Sequence, residues 1–168
     1  MKENNIIFFS NNTRGIFVLK KLLESDFKVI LLITCKEKKS LFENFFNKNK
    51  IREISDVNDS SFLKELKSLN PSLFIVAGFP QIFKKDLLKI PSHGALNLHA
   101  GPLPKYRGGS PLNWQLINGE KNIGISIIKM KEGIDNGNII ESEYFERNQN
   151  DTIADLHKKA NQIFPFLT

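Results

Sequence analysis

Apolar and polar positions alternate along the first half of the chain in blocks with the lengths of buried strands and amphipathic helices. An apolar run at 5–9 precedes a helical stripe, and the continuous Ile, Leu and Val run at 28–34 is typical of a strand buried on both faces. Another helical stripe at 58–69 ends before Pro71, and a third strand follows at 72–77. Strands that alternate with helices predict a doubly wound α/β fold whose mostly parallel sheet is flanked by helices.

The same spacing predicts the remaining elements and the side chains that face the core. After position 78 we expect a short helical segment at 82–88, an extended segment at 95–99, a loop at 101–111 and strands at 123–130 and 138–145. The residues expected to be buried on helices are Ile16, Leu19, Leu22 and Leu23 in the first, Leu41, Phe42, Phe45 and Phe46 in a Lys-rich second, Phe62, Leu63, Leu66 and Leu69 in the third, and Ile153, Leu156, Ala160 and Ile163 in a last helix at 151–166.

Length and composition indicate one globular domain that does not enter a membrane. The 168 residues suit a single domain, 40% of them are apolar, and the apolar runs are too short to span a bilayer. Cys35 is the single cysteine and follows an apolar run, which favours a strand-end filler over a catalytic thiol. The N-terminus has no export signal, and we therefore expect a cytoplasmic protein.

The net charge of +6 favours acidic ligands or nucleic acid. Much of the excess lies in lysine runs at 36–39 and 47–50, which have no interleaved aromatic residues and are typical of solvated faces. Nucleic acid is therefore expected as a partner only if it is itself the substrate.

Asn97 and His99 are the first candidates for chemistry. They lie two apart in an extended segment and share one face, while Leu96 and Leu98 share the other. An imidazolium and a carboxamide that converge on one point can donate hydrogen bonds to an oxyanion. This arrangement suits acyl-type transfer, although a strand histidine can equally be structural.

Asp135 is the third candidate, and its local sequence allows two interpretations. It lies between Gly133 and Gly137, which permit a tight turn with an exposed carboxylate. A carboxylate close to His99 would raise the imidazole pKa and could relay a proton. The alternative is an ordinary hairpin, because Asn-Gly between two strands is itself a hairpin signal.

Ligands of open α/β sheets bind beyond the carboxyl ends of the strands, where Ser10, Gly78 and His99 are all expected. Asn11 and Asn12 follow Ser10, and this segment could present backbone amides to an anion at a helix N-terminus. The chain has no GxGxxG or Walker motif, which argues against nucleotide binding of those types.

The loop at 101–111 contains three prolines and three glycines, with Arg107 as its arginine. A rigid loop beside a polar pair more often lines a site than merely connects two elements, so we expect it to position groups around His99. His157 has lysines on its C-terminal side and is expected to be a surface residue rather than a base.

Four motifs resemble the superfamily of formyltransferases that use 10-formyltetrahydrofolate. They are Asn97-x-His99, the LP-x-x-RG element at 103–108, the PLNWQLINGE run at 111–120, and Gly133-Ile134-Asp135-x-Gly137. The resemblance implies a Rossmann-like fold and a catalytic trio of Asn97, His99 and Asp135. It departs from the family's common His-x-Ser and Asp-Thr-Gly at His99-Ala100-Gly101 and at Asp135-Asn136-Gly137, although neither change removes a catalytic group.

The resemblance also implies a reaction and its binding residues. An amine attacks the formyl carbon, Asn97 and a protonated His99 stabilise the oxyanion, and Asp135 supports His99 and assists proton removal. The cofactor-binding residues are expected to be Ala77, Gly78, Phe79, Pro80, Gln81, Ile82, Gly133 and Ile134. The substrate-side residues are expected to be Ser10, Asn11, Asn12, Pro104 and Arg107, with no metal.

We expect the acceptor to be a small-molecule amine, in the first place an amino sugar carried on a nucleotide. Methionyl-tRNA is the alternative acceptor, and an inactive folate-binding module is the alternative of another class. Residues 1–168 are expected to form a formyltransferase catalytic domain that is short or C-terminally truncated, without a second domain, and a homodimer is compatible with this interpretation.

Overall fold

A seven-stranded sheet organises residues 4–167, the part of the chain that the structure, a computed structural model, describes. The strands are β1 (Asn5–Ser10), β2 (Lys28–Cys35), β3 (Ile51–Ile54), β4 (Leu73–Ala77), β5 (Ala95–His99), β6 (Asn122–Lys129) and β7 (Asn138–Glu146). The α-helices are α1 (Thr13–Leu23), α2 (Ser60–Ser68), α3 (Lys85–Leu88), α4 (Pro111–Ile117) and α5 (Ile153–Ile163), with short 3₁₀ turns at Lys39–Leu41, Lys48–Lys50 and Phe164–Phe166.

The strand order is β3-β2-β1-β4-β5-β6-β7. The strands from β3 to β5 pair in parallel, whereas β6 and β7 are antiparallel to their neighbours. The order of the sheet reverses between β1 and β4, which makes their carboxyl ends the topological switch point where such folds bind ligands. The predicted doubly wound, mostly parallel α/β fold is confirmed.

Each face of the sheet carries its own core. One core includes Leu19 of α1 and Leu156 of α5, and the other includes Phe62 of α2 and Leu87 of α3. Phe9 of β1 is fully buried in the second core. Its ring makes edge-to-face contacts with three other phenylalanine rings, Phe74, Phe79 and Phe83, at centroid distances of 5.0, 5.6 and 4.8 Å. This cluster lies directly beneath the carboxyl end of β4.

The predicted Lys-rich helix around Leu41–Phe46 is wrong. The chain there makes a 3₁₀ turn and further turns, in which Phe42 is buried and Phe45 is 37% exposed. Aromatic residues at helical spacing do not form a helix here because the neighbouring asparagines compete for backbone hydrogen bonds, as Asn47 does when its side chain accepts from the backbone N–H of Asn49.

Other boundaries also differ from the prediction. The helix expected at 82–88 is limited to Lys85–Leu88, while β3 and α4 form where neither was predicted. Helix α4 begins with Pro111, although the pattern predicts a loop that ends at this residue. Proline is favourable at the first position of a helix. Leu23 and Leu69 are 47% and 37% exposed, because each lies at the end of its helix, beyond the cover of the sheet.

Strand β7 forms one edge of the sheet, and most of its side chains on both faces are exposed. It confirms the strand expected at 138–145. In residues 4–167 no helix combines the length and the apolar character needed to cross a bilayer.

Candidate active site

A cavity of about 580 Å³ opens at the carboxyl ends of β1, β4 and β5, beside the switch point. Its size lies in the range of pockets that hold small molecules and cofactors. The loop after β1, the segment after β4, the end of β5, the start of α4 and the turn between β6 and β7 all contribute to its wall. The fold therefore gathers residues that are up to 146 positions apart, from Asn11 to His157.

Asn97, His99 and Asp135 meet on one side of this cavity. The side-chain Nδ2 of Asn97 donates to Asp135 Oδ1 at 3.2 Å, and His99 Nδ1 lies 3.3 Å from Asp135 Oδ2. Asn97 and His99 come from one strand, as their spacing predicts, whereas Asp135 arrives from the turn that joins β6 to β7. The turn is thus both the connection of an antiparallel pair and a part of the site.

Asp135 is held by backbone geometry as well as by side chains. Its φ angle of 42° lies in the left-handed region, and the backbone N–H of Gly108 donates to its Oδ2 at 2.9 Å. A Cβ at Gly137 would lie 2.1 Å from the backbone oxygen of Lys129, so a glycine is required where the turn closes. The carboxylate is therefore fixed rather than free on a mobile turn.

The tautomer of the neutral His99 ring follows from its two neighbours. Its Nε2 lies 2.7 Å from the backbone oxygen of Tyr106. A carbonyl oxygen can only accept, so Nε2 carries the hydrogen of the neutral ring and the Nδ1 lone pair faces Asp135.

The pKa of His99 is lowered from its ordinary value of 6.5, first of all because the ring is buried. Asp135 and the Tyr106 carbonyl act to raise this pKa, and the charge of Arg14 lowers it further. The side chain is only 6% exposed, so burial favours the neutral ring while the carboxylate favours the charged one, and the expected protonated His99 stays a prediction. In the neutral ring the hydrogen on Nε2 is directed to Tyr106 and Nδ1 carries none, so that form offers no free N–H to an oxyanion.

The loop at 101–111 is held in place by side-chain hydrogen bonds. The hydroxyl of Tyr106 donates to Glu120 Oε1 at 2.6 Å and accepts from Asn118 Nδ2 at 3.0 Å, and the Glu120 contact raises the pKa of Tyr106. Gly101 is needed beneath the loop because a Cβ there would lie 2.8 Å from His99 Nε2 and 3.0 Å from the Tyr106 oxygen.

Most of the residues predicted to bind the cofactor line the cavity, and Ala77 does not. Gly78, Phe79, Pro80, Gln81, Ile82, Gly133 and Ile134 all contribute to the wall. Ala77 is fully buried. The Gln81 side chain is engaged in the protein, since Oε1 accepts from the N–H of Val57 at 2.7 Å and Nε2 donates to the oxygen of Ser55 at 3.1 Å. Gln81 therefore holds the wall in place more than it offers polar atoms to a ligand.

Of the residues predicted on the substrate side, only Asn11 and Asn12 line the cavity. Ser10 is corrected: it is fully buried and its hydroxyl donates to the oxygen of Ala77 at 2.7 Å. Pro104 and Arg107 are exposed side chains outside the cavity wall, because the loop turns them outward while its backbone faces His99. The loop therefore contributes through backbone groups.

The structure adds Arg14 and His157 to the cavity wall. His157 is exposed, as expected of a surface residue, but its pKa is lowered by partial burial and by the charge of Arg14. Arg14 had a signal in the sequence, because it shares a helical stripe with the buried Val18 and Leu22. No group of three His, Cys, Asp or Glu side chains among residues 4–167 is arranged to hold a metal ion.

A doubly wound sheet with an amide, an imidazole and a carboxylate gathered beside its switch point defines the class as an α/β protein with a site suited to acyl transfer. Comparison with known proteins makes the class specific. The family model described as formyl transferase matches residues 6–163, and the chain belongs to this formyltransferase family.

A relative supports this assignment, and solved structures share the fold. Methionyl-tRNA formyltransferase of Thermodesulfovibrio yellowstonii is 34% identical over 96% of this chain and 56% of its own length. Phosphoribosylglycinamide formyltransferase of Bacillus halodurans has the same fold, with a TM-score of 0.81, 20% identity and coverage of 97% and 90% of the two chains. A sugar N-formyltransferase from Shewanella sp. matches with a TM-score of 0.77, 22% identity and coverage of 97% and 65%. The chain thus spans little more than half the length of the methionyl-tRNA relative.

Proposed function

We propose that this chain transfers a formyl group from 10-formyltetrahydrofolate to a primary amine. The observation that carries the proposal is the contact of Asn97 and His99 with Asp135 at the wall of the cavity, at 3.2 and 3.3 Å. The trio occupies the positions at which the chain resembles the catalytic motifs of its family.

The cavity walls fit a flat heteroaromatic group such as the pterin of the folate. Ile82 and Ile134 line the cavity with 58% and 56% of their side chains exposed, and Phe79 adds an aromatic edge. Apolar side chains without protein neighbours are suited to cover a planar ring. When bound there, the folate supplies the formyl carbon, and Gly78, Phe79, Ile82, Gly133 and Ile134 would hold it.

His99 and Asp135 provide the proton acceptor for this reaction. An attacking amine becomes positively charged and must lose a proton. In this mechanism His99 starts as the neutral ring that its lowered pKa favours, with no proton between Nδ1 and Asp135, so a proton taken up by the pair lies between Nδ1 and the carboxylate. The Tyr106 carbonyl keeps the ring hydrogen on Nε2, so Nδ1 is the nitrogen that can accept a proton.

Asn97 provides the donor to the formyl oxygen. One of its amide N–H groups donates to Asp135, and the second has no acceptor among the described residues. A fixed N–H that points to a developing negative charge contributes about 3 kcal/mol to catalysis in comparable sites. In this mechanism Asn97 stabilises the oxygen, and His99 and Asp135 accept the proton of the amine. The bond from the formyl carbon to the folate nitrogen breaks as the new amide bond forms, and that nitrogen takes up a proton as tetrahydrofolate leaves.

For the acceptor we propose methionyl-tRNA in the first place. The relative at 34% identity carries that name, and the net charge of +6 favours a polyanionic substrate. An amino sugar carried on a nucleotide, favoured by the sequence pattern, is the second candidate, and a sugar N-formyltransferase shares the fold. We further propose that the chain is a catalytic domain that works in the cytoplasm.

A formyl-transfer assay with labelled 10-formyltetrahydrofolate tests the proposal. The full chain is offered methionyl-tRNA, a panel of amino-sugar nucleotides and glycinamide ribonucleotide, with uncharged tRNA and N-acetylated sugars as blocked acceptors. Label should move to a free amine and to none of the blocked acceptors. Folate binding without transfer to any amine would favour the inactive folate-binding module and contradict the proposal.

A further inference from the structure

Arg14 is a buried cation that no carboxylate neutralises within residues 4–167. Only 9% of the residue is exposed, and no Asp or Glu oxygen of the described chain lies within 4.0 Å of its nitrogens. Its protein contacts are weak, since Nε donates to Asn161 Oδ1 at 3.4 Å and Nη1 donates to the oxygen of Leu98 at 3.5 Å. The ring of Phe164 stacks 4.7 Å from the guanidinium carbon.

Burial without a counter-charge is costly for the protein. Desolvation lowers the pKa of Arg14 to about 10, and no neighbouring negative charge opposes that shift. A guanidinium has five N–H donors, of which two bind protein oxygens at long distances, and Nη2 has no acceptor among the described residues. Buried charges are normally paired. The arrangement is therefore incomplete without an anion.

The missing anion has access to Arg14 from the cavity that contains the catalytic trio. Arg14 lines that cavity together with His157, and its charge lowers the pKa of both His99 and His157. The groups that contact the guanidinium are the amide oxygen of Asn161, the carbonyl of Leu98 and the ring of Phe164, none of which carries a negative charge.

The position of Arg14 indicates which ligand brings the anion. Arg14 lies on α1 and contacts Asn161 of α5, and these helices belong to the core on one face of the sheet. The proposed folate wall includes Phe79, which packs against the core on the other face. An anion at Arg14 therefore belongs to the acceptor side of the cavity.

We propose that Arg14 binds a phosphate group of the acceptor substrate. This inference rests on the proposed function. A guanidinium fork matches phosphate oxygens in a bidentate geometry. Both candidate acceptors carry such a group, either as the phosphodiester next to the 3′-terminal aminoacyl-adenosine or as the diphosphate of a nucleotide-linked sugar.

Direct binding of inorganic pyrophosphate tests this proposal without any turnover. Titration calorimetry compares the full-length wild type with Arg14→Met and with Arg52→Met, an exposed arginine on β3 that pairs with Glu65. Arg14→Met loses the charged hydrogen bonds of the guanidinium and should bind pyrophosphate about 10- to 100-fold more weakly. Arg52→Met should bind it with the affinity of the wild type. Equal affinities of all three proteins, or no binding by the wild type, would overturn the proposal.

Thermal unfolding separates a binding role from a structural one. If Arg14 serves a ligand, Arg14→Met removes an unpaired buried charge and should leave the midpoint unchanged or higher. A clearly lower midpoint, with pyrophosphate affinity unchanged, would show that Arg14 only supports the packing of α1 against α5.

Steady-state assays then identify the source of the phosphate. Arg14→Met should raise KM by about 10- to 100-fold for whichever phosphate-bearing acceptor is used, either methionyl-tRNA or an amino-sugar nucleotide, and leave the KM for the folate unchanged. The KM for methionyl-adenosine, which has no phosphate, should be the same in the wild type and in Arg14→Met. If no acceptor is formylated, the proposed function fails while the pyrophosphate result still decides the role of Arg14.

Discussion

The Nε2 of His99 donates a hydrogen bond of 2.7 Å to the backbone carbonyl of Tyr106, seven residues further along the chain. This contact decides the tautomer of the neutral imidazole and leaves Nδ1 facing Asp135. A strand residue thus depends on the conformation of a loop for its chemistry.

The rate of formyl transfer should depend on the neutral form of His99. The pKa of this imidazole is lowered below 6.5 in the folded protein, chiefly by burial, so we expect kcat/KM to stay constant as pH falls to 6.5 and to decline only below that value. A pH profile of kcat/KM, together with an NMR titration of His99, measures both quantities. A decline that begins above pH 7 would contradict the assignment of His99 as the base.

The same shift makes folding stability depend on pH. Because the folded pKa of His99 lies below the unfolded value of 6.5, the unfolded chain binds more protons between the two values. The stabilising contribution of the neutral ring is complete above pH 6.5 and is lost as pH falls toward the folded pKa. Urea midpoints measured across this range should fall with pH, and they should fall less in His99→Gln.

Asp135→Asn should slow formyl transfer by about 100-fold or more while folate binding is largely retained, because a proton at Nδ1 would lose its carboxylate. The pKa of His99 should also fall further, since Asp135 acts to raise it. Asp86→Asn, in the exposed first turn of α3, is the matched control and should behave as the wild type. Turnover near normal in Asp135→Asn would remove the carboxylate from the mechanism.

Gly101→Ala should disturb the contact between His99 and Tyr106. The new Cβ would lie 2.8 Å from His99 Nε2 and 3.0 Å from the Tyr106 oxygen, and these groups must move apart. We expect kcat to fall by about 10- to 100-fold and the NMR signal of the His99 N–H to shift. Gly109→Ala, whose Cβ would meet no atom within 4 Å, should leave that signal and the unfolding midpoint unchanged.

Tyr106→Phe should loosen the same loop from its other side. The substitution removes the hydrogen bond of 2.6 Å to Glu120 and should lower the unfolding midpoint slightly. The rate should fall because the Tyr106 carbonyl is held less firmly against His99. Tyr144→Phe removes a hydroxyl from a residue that is 55% exposed on β7 and should change neither the stability nor the rate.

The sequence was most informative where the periodicity was strong. The runs that became β1, β2 and β4 are apolar segments, and their alternation with helices was enough to predict a doubly wound sheet. The spacing of Asn97 and His99 placed both on one face of a strand for the same reason. Local pattern failed at Leu41–Phe46 and at the start of α4, where asparagine caps and a proline can be interpreted in two ways.

What only the tertiary structure decided is the electrostatic state of the site. The sequence indicates that His99 and Asp135 are candidates, but not that burial outweighs the carboxylate in setting the histidine pKa. It contains Arg14 on a buried stripe without showing that no carboxylate reaches it. Burial and charge pairing depend on which distant segments the fold brings together, whereas the strands and the family motifs are properties of neighbouring residues, which the sequence records directly.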